Sequence, residues 1–160
     1  MGDWNEFNVA LVGATAALAG LVIVAASVNI GEIVKAPALT ARLGTAISGL
    51  VLALVICALG LAPGLPAGVH GVAASVGALI AAAFAVDATR RILADRDPLN
   101  RLRSLKSGLG FLVPATYAIG GVLLLTGLPD AGLVALAIGA LTSIAVALMI
   151  SWIVLVEVLR

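Results

Sequence analysis

Four stretches of this chain, residues 7–31, 43–86, 107–129 and 131–156, contain no aspartate, glutamate, lysine or arginine. Crossing a bilayer takes roughly 20 consecutive apolar residues. Three of the stretches hold one span each, and the second is long enough for two. It is broken by "APGLPAG" at 62–68, where Pro63 and Pro66 with their glycines mark a turn. Five spans follow, at about 7–30, 41–62, 68–88, 108–128 and 131–156. Short loops join them and no room is left for a soluble domain. Composition agrees: 62% of residues are hydrophobic and 11% charged, against about 25% charged in soluble domains. The expected fold is one all-α membrane domain of five transmembrane helices.

Five antiparallel spans sort the loops into two sides, and the charges provide a check that did not enter the count. All nine basic residues, Lys35 and Arg42 through Arg160, fall on the side of the 31–40 segment, the 89–107 segment and the C-terminus. The other side carries Asp3, Glu6 and Asp130. Cytoplasmic loops carry the excess of lysine and arginine, so the N-terminus is expected outside and the C-terminus in the cytoplasm. The first basic residue is Lys35, so no cleavable leader is expected.

Six of the nine cations lie between Arg90 and Lys106. Within that segment Asp97 can cap a helix and Pro98 suits its first position. Leu99, Leu102 and Leu105 follow at three-residue spacing with Arg101, Arg103 and Lys106 between them. The pattern reads as a short helix on the inner leaflet, leucines toward lipid and cations toward phosphates. Its plain role is a topology anchor. The sharper alternative makes Arg101, Arg103 and Lys106 a docking site for a partner or an acidic lipid. Asp87 stands one turn before Arg90 and Arg91, and a helical ion pair explains it.

The first span places Ala10, Gly13, Ala17, Gly20, Val24 and Ser27 at alternating spacings of three and four. These residues form one stripe, almost all of it small. Lipid offers helices no hydrophobic reason to associate, so close approach through small residues must supply it. Nearly every other span also has a small face, and a homo-oligomer is expected. Gly13, Ala17, Gly20, Ser27 and Asn29 are therefore helix-packing or pore-lining candidates. Glu6 and Asn8 stand at the outer rim of the same helix, where an acidic residue would favour cations. The weightier reading of these polar residues is that they end a helix. In span four Pro114 removes a backbone hydrogen bond and is expected to kink the helix. Tyr117 lies just past it and needs a partner, from a serine or a freed carbonyl.

The chemistry of catalysis is not visible. Every charged residue sits at a span boundary or in a loop, unlike the buried acids and bases of ion-coupled transporters. His70 is the only histidine and Cys57 the only cysteine. His70 is expected as a solvated residue at the outer edge, Cys57 as a small buried hydrophobe. No metal, cofactor, catalytic residue or nucleic-acid partner is expected.

The segment "WNEFNVALVGATAALAGLVIVAASVNI", with "APALTARLGTAISGLVLALVICALGLAPG" after it, resembles a group of small actinobacterial membrane proteins. Trp4, Phe7, Gly13, Ala14, Ala16, Ala17, Leu18, Gly20, Leu21, Ser27 and Asn29 carry the likeness, over roughly the first 64 residues. Some members are labelled modulators of the membrane protease FtsH. The resemblance implies a bacterial plasma membrane and a possible larger membrane-protein partner. Two lysines against seven arginines suit a GC-rich bacterium. Two functions follow as expectations: a self-assembling channel or permeation path, and an accessory subunit of a larger membrane complex.

Overall fold

The computed structural model describes residues 4–94 and 103–158, with the side chains of 103–107 and 158 left aside. The described residues form six helices and no strand: α1 (Asn5–Val28), α2 (Ile30–Lys35), α3 (Pro37–Gly60), α4 (Ala67–Ala94), α5 (Arg103–Leu125) and α6 (Pro129–Val158). Five are long and apolar enough to cross a membrane: α1, α3, α4, Gly108–Leu125 of α5, and α6 through Glu157. The protein is thus a multi-pass membrane protein, with the five spans expected from the uncharged runs.

The boundaries follow local chemistry. Asn29 leaves helical geometry (φ −112, ψ 20) and separates α1 from α2. Ala36 is extended, as a residue before proline prefers, and Pro37 takes the first position of α3, where its missing N–H costs nothing. The expected 31–40 loop is therefore mostly helical, and α3 begins four residues before the expected boundary. Thr40 Oγ1 donates to the Ile33 carbonyl at 2.9 Å, tying the start of α3 back onto α2. Gly127 ends α5 with φ +82. The Leu128 N–H then reaches back to the Leu123 carbonyl at 3.0 Å, a glycine-terminated cap, and Pro129 opens α6.

Packing makes α3, α4, α5 and α6 a closed ring, each against the next and α6 back against α3. α1 lies outside the ring, mainly against α3. The difference is large: half of the apolar window of α3 is buried against 17% of that of α1. The ring interior is filled, with Leu50, Ala53, Ala74, Tyr117 and Ala140 inaccessible. Small residues bring the helices close. A Cβ on Gly71 would lie 3.0 Å from the Gly121 carbonyl oxygen, and one on Gly132 would lie 2.7 Å from the Leu124 side chain.

The helices alternate up and down. One cavity joins Arg42, Ile92, Leu109 and Ile153 at one rim, and another joins Phe7, Ile56, His70 and Leu133 at the opposite rim. The two rims are called here the basic rim and the acidic rim, after their sequence-assigned charges. α5 runs unbroken from Arg103. The last residues of the expected leaflet helix are therefore the opening turn of α5, just ahead of the span. Arg101 lies outside the described residues, and so do the side chains of Arg103 and Lys106.

Candidate functional site

The two sides of α1 differ in kind. Leu11, Thr15 and Val22 are buried against the bundle, flanked by half-buried Phe7, Val12, Leu18 and Ala26. Thr15 spends its hydroxyl on the Leu11 carbonyl at 2.6 Å. The predicted small stripe lies on the other side. Ala10, Gly13, Ala17, Gly20, Val24 and Ser27 are all exposed. A Cβ placed on Gly13 or Gly20 would meet nothing within 4 Å. Among the described residues, nothing is packed against the two glycines of the stripe.

Its polar ends divide. Glu6 is exposed and continues the stripe four residues before Ala10. Asn8 does not share that face. Its side chain crosses to α3 and lies against Gly60, a position where a Cβ would be 2.6 Å from the Asn8 amide nitrogen. At the basic rim the Ser27 hydroxyl donates to the Ile23 carbonyl at 2.8 Å. Asn29 is half-buried, and its carbonyl receives the N–H groups of Glu32 and Ile33, each at 3.1 Å. It also lines a cavity of about 250 Å³ between α1, α2 and α6, with Ile33, Ser151 and Trp152.

His70 is a correction. It is 3% exposed, not a solvated edge residue. It shares the acidic-rim cavity with Trp4, Phe7, Asn8 and Cys57, and its Nδ1 is buried without a partner. Trp4 and Phe7 cover this end in an edge-to-face pair with centroids 5.7 Å apart. Among the described residues, no three histidine, cysteine, aspartate or glutamate side chains gather as a metal site.

Tyr117 meets the expected serine but bonds to it poorly. α5 runs through Pro114 and buries Tyr117 completely. The phenol stands beside Ser143, but the serine hydroxyl donates to the Gly139 carbonyl at 2.9 Å. The Tyr117 hydroxyl is left without a well-formed hydrogen bond. Thr116, its neighbour, bonds back to the Val113 carbonyl at 2.8 Å.

At the basic rim Asp87 pairs with Arg91 at 2.8 Å, the helical pair anticipated from their spacing. Glu32 pairs with Lys35 at 2.7 Å on α2. The pair between Arg42 of α3 and Glu157 of α6 escaped sequence reading. The Arg42 side chain is only 7% exposed, so this cation is a buried strut and not a solvated rim charge. A signal did exist: Glu157 closes an otherwise uncharged span, and the up-and-down topology sets it level with Arg42.

Comparison with family models, curated proteins and solved structures returns no match. The candidate site therefore stands on its geometry: an unpartnered small stripe with an acid at one end, on the helix least embedded in the protomer.

Proposed function

We propose that this chain is a non-enzymatic membrane protein that assembles with copies of itself through the outer stripe of α1 and forms a permeation path between the copies. The observation that carries this reading is the exposure of Gly13 and Gly20. Dispersion and backbone approach drive helix association in lipid, and this stripe offers both. A filled ring interior favours a path between protomers over one within them. Around a closed symmetry axis, Glu6 would repeat as an acidic ring at one mouth, which favours cations. By the distribution of lysine and arginine, the basic rim faces the cytoplasm, and the resemblance of roughly the first 64 residues implies a bacterial plasma membrane.

The test is light scattering in mild detergent, with conductance of the purified protein in planar bilayers. The wild type should be a defined oligomer that conducts. Gly13→Leu combined with Gly20→Leu should give a folded monomer with no conductance. A wild-type protein that is monomeric, or that occurs bound to a larger membrane protein, overturns the reading in favour of an accessory subunit.

A further inference from the structure

Arg42 brings five N–H donors into the basic rim, and the structure shows how only part of them is used. Nη1 donates to Glu157. Nε is buried and has no hydrogen-bond partner among the described residues. The Thr89 Oγ1 on α4 is in the same condition. Both residues line one cavity at the junction of α3, α4, α5 and α6. Its other polar lining group, Thr45, directs its hydroxyl to the carbonyls of Ala41 (3.1 Å) and Phe84 (3.3 Å). The rest of the wall is apolar, with Ala88, Ile92 and Leu109.

Two donors without acceptors in an apolar wall form an unfinished site, because a buried donor left unpaired costs free energy that an acceptor would recover. The enclosed space is about 20 Å³, room for one water-sized atom. The cavity opens at the basic rim, so the group that bears that atom would stand outside it. Arg90, next to Thr89 in sequence, is exposed and has no ion-pair partner among the described residues. It adds a cation at the mouth. Guanidinium suits phosphate oxygens by geometry and by weak hydration, and a membrane rim presents phosphates.

We infer that this cavity binds a phosphate-class oxyanion, one oxygen entering between Arg42 Nε and Thr89 Oγ1 while Glu157 holds the other edge of the guanidinium. The cavity is lined by α3, α4, α5 and α6 and does not include α1, so binding here and self-assembly through α1 succeed or fail separately.

The chemistry is shared by a lipid head group and by free phosphate, so both are tested. The melting temperature of the full-length protein in mild detergent is followed while phosphatidylglycerol, phosphatidylcholine or inorganic phosphate is titrated. Phosphatidylglycerol, inorganic phosphate or both should raise it, and phosphatidylcholine should act much more weakly. A response to the anionic lipid alone identifies a head group; a response to inorganic phosphate identifies the free ion. Thr89→Val keeps shape and removes one hydrogen bond, so it should weaken the apparent affinity about five- to tenfold. Arg42→Met with Glu157→Met removes the guanidinium without stranding a carboxylate and should abolish the response. If neither anion shifts the wild type, the cavity holds water alone and the inference fails. It fails equally if both variants respond as the wild type does.

Discussion

A buried phenol without a well-formed hydrogen bond is a local defect that removal should repair. The Tyr117 hydroxyl is buried beside Ser143 and makes no well-formed hydrogen bond to it, while its ring packs against Gly139, whose would-be Cβ is 3.1 Å away. Tyr117→Phe keeps the ring and deletes the poorly bonded oxygen. The variant should be at least as stable as wild type, by up to about 1 kcal/mol, in thermal denaturation in detergent. A loss of stability would mean that the hydroxyl is satisfied. At this scale the sequence set depth well and azimuth poorly. Its position placed His70 near an edge, and it is near one. Nothing in one chain said that its ring turns inward toward Asn8 and Cys57, because burial depends on which neighbour stands on which side.

Among the helices, glycine acts in opposite ways. Gly121 is pressed onto α4, where a Cβ would meet the Gly71 carbonyl oxygen at 2.9 Å and the Ser75 nitrogen at 3.0 Å. Backbone cannot retreat as a flexible side chain can, so Gly121→Ala should destabilise by about 1–3 kcal/mol. Gly13→Ala meets nothing and should leave monomer stability unchanged or slightly higher, since alanine is the better helix former by about 1 kcal/mol. Chemical denaturation of the two variants side by side checks the contrast. The spans and their turns were legible because Pro37, Gly127 and Pro129 act through local backbone geometry. The working glycine contacts were not, because nearly every span carries a small face. Periodicity locates such a face without saying what lies opposite it, and the most regular stripe, on α1, turned out to be the one left over.

For the whole molecule, the pair between Arg42 and Glu157 joins the first and last helices of the four-helix ring. Arg42→Met alone takes the guanidinium from a partly buried carboxylate and should cost about 1–3 kcal/mol. Adding Glu157→Met should recover most of that, because an apolar pair of similar volume commonly replaces a buried ion pair without loss. Thermal melts of the single and double variants measure the difference, and a double variant no better than the single would show that the strut does more than neutralise charge. The pair also bears on how the protein is made. Its members are 115 positions apart, so a ribosome delivers the arginine long before its counter-ion. Until α6 arrives, the growing chain must keep that cation at the interface with water or head groups, and the ring can lock only once α6 has been made.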